Sequence, residues 1–182
     1  MFQGSCKRSE SPLRSVAKPA ARRLASTAST SFVDGSSMRH SRSCASSAAA
    51  GRAPEDVVVE VSERAVGEGA PPLAAACAAL REEGFALALD DVGTGRDGGE
   101  ALARLRPDFL KVDASVVRGI DENLVKQEIF ATIGRMGSAI GAAIVAVGVE
   151  TPGEANTLRA LGARYGQGYH FASPAPRERW VT

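Results

Sequence analysis

An apolar run that ends in two adjacent carboxylates constrains the fold of this chain most. Residues 85–89 are Phe, Ala, Leu, Ala and Leu, and Asp90, Asp91 and a glycine-rich loop follow them directly. A short apolar run bounded by turn residues predicts a buried strand. Two neighbouring aspartates at its end raise each other's pKa unless a divalent metal, a nearby Lys or Arg, or exposure to water compensates their charge.

Short apolar runs alternate with helical patterns from residue 56 onwards. Strands are predicted for VVVEV, FALAL, DFLKVD, AAIVAVGVE and GQGYHFASP, which begin at residues 57, 85, 108, 142 and 166. The last of these is expected to stop at Pro174. Strands that alternate with helices form βαβ units, so the predicted fold class is α/β with a parallel sheet.

Turn residues and apolar spacing place the helices. Pro71 and Pro72 are predicted to open a helix that stops at Gly84, and a short helix is predicted around residues 100–105. A longer helix is predicted over about residues 123–140, and another over 154–161. The residues expected on the apolar side of the longer helix are Leu124, Ile129, Ile133 and Met136.

The first 54 residues differ in composition from the rest. They are rich in Ser, Ala and Arg and carry nine basic and two acidic residues, a net charge of +7, whereas the remainder carries −6. Such a segment buries too little apolar surface to offset its chain entropy, so residues 1–54 are predicted to be a disordered arm. An organellar targeting peptide and a sequence never selected as protein are the alternatives. Phe32 is the one aromatic residue among the basic ones, which disfavours nucleic-acid binding, since that would need several stacking aromatic residues.

Cysteine usage and hydropathy bear on the compartment. Cys6, Cys44 and Cys77 have no metal-binding or redox spacing, and Cys77 falls in an Ala-rich helical pattern, where a small buried hydrophobe is predicted. The lack of a disulfide framework is consistent with a reducing compartment, and a cytoplasmic location is expected. No apolar run approaches the roughly 18 residues that a membrane span needs, so no membrane partner is expected.

Acidic residues stand at or near the ends of four predicted strands. They are Glu60 and Glu63, Asp90 and Asp91, Asp113, and Glu150. The carboxyl ends of parallel strands share one face, so these carboxylates are expected to converge there with Lys111, on the same strand as Asp113. An all-oxygen cluster suits Mg²⁺, Mn²⁺ or Ca²⁺, and two such ions could hold a phosphate ester and activate a water. The alternative is that the acids cap the following helices.

A second pattern competes for the same loop. Residues 93–98 match the dinucleotide-binding pattern GxGxxG, follow a predicted strand, and have Asp113 at a suitable distance. However, Asp90 and Asp91 immediately precede the loop, and their charge would repel a pyrophosphate. Dinucleotide binding is therefore not favoured.

Five motifs in a fixed order resemble those of the EAL-domain phosphodiesterases, which hydrolyse cyclic di-GMP. They are EVSE at 60–63, DDVGTG at 90–95, KVD at 111–113, AVGVE at 146–150 and QGY at 167–169. The family shows E-[LIV]-[ST]-E, DDFGTG, KID, AEGVE and QGY in the same order, and the resemblance covers about residues 55–176. It implies a partial TIM-like (β/α) barrel in which residues 55–182 supply about five of eight βα units.

The resemblance also implies roles for individual residues around two Mg²⁺ or Mn²⁺ ions and bound cyclic di-GMP. The residues implied as metal ligands are Glu60, Asp90, Asp91 and, for the second ion, Asp113. Lys111 corresponds to the group that orients water and phosphate, and Glu63 to the glutamate that holds the loop after DDVGTG. Glu150 and Gln167 correspond to residues that line the site.

The chain also departs from the family pattern. Val147 stands where AEGVE has its first glutamate, the presumed catalytic base, and valine can neither ligate a metal nor accept a proton. Nothing in residues 1–54 resembles the Glu-Ala-Leu strand, and the Glu-Ala-Leu triplet at 100–102 falls in a predicted helix. These departures predict a truncated, degenerate domain without phosphodiesterase activity. A second chain that completes the barrel, a non-catalytic module that binds cyclic di-GMP or a protein, and a gene remnant are the alternatives.

Overall fold

The computed structural model describes residues 14–15, 53–94 and 98–172, and for residues 14–15, 67–72 and 98 it describes the backbone alone. The disorder predicted for residues 1–54 therefore falls largely outside the described residues, as does Pro174. Within the described ranges, no helix combines the length and the apolar character that crossing a membrane requires.

Within the described residues, six parallel strands form one sheet. They are β1 (Arg14–Ser15), β2 (Val58–Ser62), β3 (Ala86–Val92), β4 (Phe109–Val112), β5 (Ala143–Val147) and β6 (Tyr165–Gln167). Their order across the sheet is β1-β6-β5-β4-β3-β2. The predicted α/β fold with a parallel sheet is confirmed. Strand β1 lies within the arm that was predicted to be disordered, and it pairs in parallel with β6, Arg14 with Tyr165 and Ser15 with Gly166.

The strand register separates a polar face of the sheet from an apolar one. Glu60 pairs with Ala88, which pairs with Phe109, so these three residues share one face across β2, β3 and β4. One position further, Leu89 and Leu110 share the opposite face and are both 0% exposed. Because side chains alternate along a strand, the helices cover this second face and form the core there, while the first face carries the polar residues.

In the part of the chain that the structure describes, five helices connect the strands. They are α1 (Glu63–Glu82), α2 (Gly98–Leu105), α3 (Ala114–Val117), α4 (Leu124–Ile140) and α5 (Pro152–Ala160), with short 3₁₀ turns at Pro54–Asp56 and Ile120–Glu122. Asn123 caps α4 by accepting a hydrogen bond from Lys126 N, and Gly141 ends the helix in the left-handed region. The predicted helix over 123–140 is confirmed, and Cys77 on α1 is buried as predicted.

The predicted start of α1 at Pro71 is wrong, because the helix begins at Glu63, directly after β2. The free backbone N–H groups and the positive end of the helix dipole favour polar and acidic side chains at a helix start, and Ser62 and Glu63 are such residues. The two prolines have a φ angle compatible with a helix, so they remove backbone donors without having to end it.

The predicted apolar side of α4 is also wrong for three of its four residues. Leu124 is 76% exposed, Ile129 41% and Met136 36%, whereas Phe130 and Gly137 are buried together with Ile133. Gly137 explains why a different side of the helix faces the sheet, because a Cβ at this position would lie only 2.7 Å from the side chain of Ile144 on β5. A hydrophobicity pattern does not predict this close contact between the helix and the sheet.

The final strand is shorter than predicted and lies earlier in the chain. Strand β6 ends at Gln167, and Gly168 follows with a φ of +154°, a conformation that side chains rarely adopt. The carbonyl of Gln167 accepts from Gly148 N at 2.8 Å and from Val149 N at 3.0 Å. These bonds join the chain that leaves β5 to the end of β6.

Candidate functional site

The carboxyl ends of three neighbouring strands bring Glu60, Asp90 and Lys111 together. Lys111 Nζ lies 2.9 Å from Glu60 Oε2 and 2.8 Å from Asp90 Oδ2. The lysine side chain is 10% exposed, against 25% for Glu60 and 29% for Asp90. The sequence allowed a metal, a nearby Lys or Arg, or exposure to water to compensate the aspartate charge. In the structure a lysine lies between the carboxylates.

The electrostatics of this contact favour the charged lysine. Burial by itself lowers the pKa of Lys111, but hydrogen bonds to Asp90 and Glu60 and their negative charges raise it, and the net direction is upward from the ordinary value of 10.5. The ammonium is therefore protonated at neutral pH and is the cation shared by the two carboxylates.

A β-bulge in β3 explains why two adjacent aspartates reach the same edge. Leu89 pairs with Leu110 and Val92 with Val112, so three steps along β3 match two steps along β4. Asp91 takes up the extra residue with a φ of +60°, a left-handed conformation that is uncommon outside glycine. Both flanking residues of β3 stay buried in the core, and the two aspartates lie between them.

Asp91 experiences a surplus of negative charge at this edge. Partial burial raises its pKa, and the charges of Asp90 and Asp113 raise it further, while Lys111 and Arg64 lower it by less. The side chain is exposed, so solvent screens much of this repulsion. Of the residues predicted as metal ligands, Asp91 is the one whose charge is least compensated.

Replacing Asp91 by asparagine is expected to stabilise the metal-free protein by about 0.5 kcal/mol at pH 7, because the repulsion disappears and asparagine tolerates a positive φ. Folding raises the pKa of Asp91, so the gain should vanish as the pH falls through the folded value to the ordinary 3.8. Urea unfolding in the presence of a chelator measures it, with the exposed Glu122→Gln as the control. Equal or lower stability of D91N would show that the charge is already compensated.

Asp113 and Glu63 hold backbone in place. Asp113 Oδ1 accepts from Ser115 N at 2.8 Å and caps α3, and hydrogen bonding to the Ser115 hydroxyl, together with this backbone bond, lowers the pKa of Asp113. Glu63 is 2% exposed and its Oε2 accepts from Gly93 N at 3.2 Å, the contact expected of a loop anchor. The helix-capping alternative considered for the strand-end acids thus applies to Asp113.

The remaining predicted residues lie around the ends of β5 and β6. Glu150 follows β5 and its Oε1 lies 2.6 Å from Arg118 Nη2, so it pairs with an arginine and does not join the Lys111 cluster. Val147 ends β5 and pairs in register with Gln167, which is exposed at the end of β6. Val145 pairs with Lys111, so Val147, two residues on, shares the face of that lysine.

The predicted metal ligands fit an ion by chemistry and only partly by geometry. Glu60, Asp90, Asp91 and Asp113 offer the carboxylate oxygens that hard divalent cations prefer, and partial burial together with the charges of Asp90 and Asp113 raises the pKa of Asp91. Within the ranges that the structure describes, however, no three acidic, histidine or cysteine side chains stand close enough together to hold one ion. Lys111 Nζ lies between Glu60 and Asp90 instead.

Comparison with known proteins identifies the family of this chain. The family model of the EAL domain matches residues 15–174. The chain belongs to the EAL domain family. The EAL domains among its structural neighbours are TIM-like barrels, and the parallel α/β sheet of this EAL domain matches part of such a domain. The family match begins within the arm that was predicted to be disordered.

Individual relatives resemble this EAL domain over part of their length. It is 33% identical over 123 residues to the probable cyclic di-GMP phosphodiesterase PdeA of Escherichia coli strain K12. This match covers 68% of this chain and 17% of PdeA. A calcium and cyclic di-GMP complex of Klebsiella pneumoniae BlrP1 is 38% identical with a TM-score of 0.70, over 74% of this chain and 34% of BlrP1. The EAL domain of Mycobacterium smegmatis DcpA is 27% identical with a TM-score of 0.72, over 76% and 62%.

Two residues of this edge were not predicted from the sequence. Arg118 pairs with Glu150, and Glu154 on α5 is a buried carboxylate that receives several backbone hydrogen bonds. For Glu154 a signal existed, because Thr151 three residues before it forms the capping-box pattern that opens a helix. For Arg118 no local pattern marks the contact, since its partner is 32 residues away.

Proposed function

We propose that this EAL domain binds cyclic di-GMP at the carboxyl edge of its sheet and does not hydrolyse it at a significant rate. Family membership supports the ligand, since PdeA is named a probable cyclic di-GMP phosphodiesterase and BlrP1 was solved with cyclic di-GMP. The observation that carries the second half is Val147, which ends β5 on the face of the sheet that carries Lys111.

Hydrolysis of a phosphodiester by divalent metals needs ligands that hold the ions and a base that takes a proton from water. In this chain Val147 ends β5 on the face of Lys111, where the family resemblance places a glutamate. A valine supplies neither oxygen ligand nor base. Glu60, Asp90, Asp91 and Asp113 would hold a Mg²⁺ or Mn²⁺ ion, which supplies charge for binding phosphate oxygens. Without the glutamate, binding is retained and turnover is lost.

The experiment is to measure binding and turnover on one preparation of the full chain. Calorimetry with cyclic di-GMP, with and without Mn²⁺, is expected to show binding at tens of micromolar or tighter. Chromatography of the same mixtures is expected to show no more pGpG, the linear product of cyclic di-GMP hydrolysis, than is found with K111M or in a protein-free blank. Formation of pGpG above both would overturn the loss of turnover, and no heat of binding under either condition would overturn the ligand.

A second chain that completes the barrel is part of this proposal. Strands β2 and β1 lie at the two edges of the sheet, and among the described residues no strand pairs with the outer edge of either one. Exposed strand edges favour pairing with another chain. Light scattering at several concentrations, with and without cyclic di-GMP, tests it, and a monomer under all conditions would contradict it.

A further inference from the structure

A buried carboxylate outside the Lys111 cluster joins two turns of the candidate site. Glu154 is 4% exposed although it is ionisable, and lies in the first turn of α5. Its Oε2 accepts from Glu150 N at 2.8 Å and from Thr151 N at 3.1 Å. Its Oε1 accepts from Gly119 N at 2.8 Å. One side chain thus fixes the backbone after β5 and the backbone after α3.

The same two turns carry an exposed ion pair. Arg118 precedes Gly119, and its guanidinium lies 2.6 Å from the carboxylate of Glu150. The side chains are 60% and 40% exposed, and ion pairs at such exposure contribute little by themselves and do not hold a fixed geometry. Arg118 and Glu150 are therefore held relative to each other through their backbone, and the hydrogen bonds of Glu154 join the two backbone turns.

The bonds of Glu154 are of a strong type. A carboxylate that accepts from backbone N–H groups forms charge-assisted hydrogen bonds, and a buried one has no water to replace them. Burial alone would raise the pKa of Glu154, but the three backbone donors and Arg118 lower it below the ordinary value of 4.5. The side chain is ionised at neutral pH, and both of its oxygens are used.

We infer that Glu154 is a positioning residue that fixes the backbone turns carrying Glu150 and Arg118 relative to each other and so presents both residues to the ligand. The inference rests on the proposed function for its ligand, cyclic di-GMP, and assigns to Glu154 the geometry of this part of the site. Glu150 is among the residues that the family resemblance places at the site, whereas Glu154 acts through it and does not touch the ligand.

Three variants of the full chain separate positioning from general stability. E154A removes all three acceptor bonds. E154Q keeps one acceptor oxygen and turns an amide donor towards a backbone N–H, so it should rescue part of the effect. E128Q changes an exposed glutamate on α4 whose side chain makes no hydrogen bond among the described residues, and it is the matched control.

The first measurement needs no ligand. Amide hydrogen exchange followed by NMR is expected to show protected amides at Gly119, Glu150 and Thr151 in wild type and E128Q. In E154A these three should lose protection, while amides in the centre of β4 keep theirs. Unchanged protection of the three amides in E154A would overturn the inference whether or not cyclic di-GMP binds.

The second measurement is the affinity for cyclic di-GMP. E154A is expected to bind at least about tenfold more weakly than wild type, E154Q to lie between them, and E128Q to match wild type, because supporting partners of site residues typically have effects of this size. Equal affinities of wild type and E154A would overturn the inference. Absence of binding by wild type would contradict the proposed function instead, and the exchange data would still decide the role of Glu154.

Discussion

Replacing Lys111 by methionine is expected to lower the free energy of unfolding by about 2 kcal/mol, because it leaves Glu60 and Asp90 without the cation they share. Removal of one partner from a fully buried pair typically costs about 3–5 kcal/mol. The expected loss is smaller here, since the carboxylates are 25% and 29% exposed and water reaches them. Methionine keeps the length and much of the volume of lysine, so packing changes little.

The pH dependence of this loss follows from the direction of the pKa shift. Folding raises the pKa of Lys111 above the ordinary 10.5, so its contribution is complete below that value and is lost as the pH rises through the folded value. The difference between wild type and K111M should therefore be constant between about pH 6 and pH 9. Urea unfolding at both ends of this range measures it.

A matched control and a metal titration make the expectation specific. Lys126 Nζ donates to the Arg118 carbonyl at an exposed position, so K126M should cost only about 0.5 kcal/mol. Mn²⁺ should raise the melting temperature of K111M more than that of wild type, because the ion can take the place between Glu60 and Asp90 that the ammonium leaves. Equal stability of K111M and wild type in the presence of a chelator would show that the lysine does not compensate these carboxylates.

The strands were predictable because the features that identify them lie within a few consecutive residues. A run such as FALAL or AAIVA is apolar, short and bounded by turn residues, which is sufficient to identify a buried strand of a parallel sheet. The parallel order then fixed the shared edge, so Glu60, Asp90 and Lys111 could be placed together before their distances were known. The exact cation was not predictable, since lysine and metal satisfy the same two carboxylates.

The face of α4 was predicted wrongly because it depends on a contact that a hydrophobicity pattern does not contain. The face of α4 depends on Gly137 lying against Ile144, and hydrophobicity assigns glycine no preference for that side. The role of Asp113 depends on whether its carboxylate turns to Ser115 N or to the strand edge, which the spacing of acids leaves open. At this site the sequence does not predict which partner a side chain binds when two partners are within its reach.

Gly168 is where a single added carbon is expected to have the largest effect on this EAL domain. A Cβ there would overlap the amide nitrogen and carbonyl oxygen of Val149 and lie 2.8 Å from its carbonyl carbon. Backbone cannot move aside as a flexible side chain can, and a φ of +154° is itself unfavourable for alanine. G168A is therefore expected to lose about 3–5 kcal/mol of unfolding free energy.

The site should be lost together with the stability, because the clash separates the two strand ends that form it. Gln167 accepts from Gly148 N and Val149 N, and Glu150 comes directly after them. Moving Val149 away breaks these bonds and displaces Glu150 from Gln167. Cyclic di-GMP binding by G168A, measured at low temperature where circular dichroism shows folded protein, should therefore be undetectable.

Gly162 is the matched control for this substitution. It has a φ of +93°, and nothing lies within 4 Å of the position of a Cβ, so G162A carries the cost of the backbone conformation without a clash. That cost is about 1–2 kcal/mol. The difference between the two variants measures the contact of Gly168 with Val149 alone. If both lost the same stability and both bound cyclic di-GMP, the strand ends would be farther apart than the structure places them, and the junction of β5 and β6 could not position Glu150.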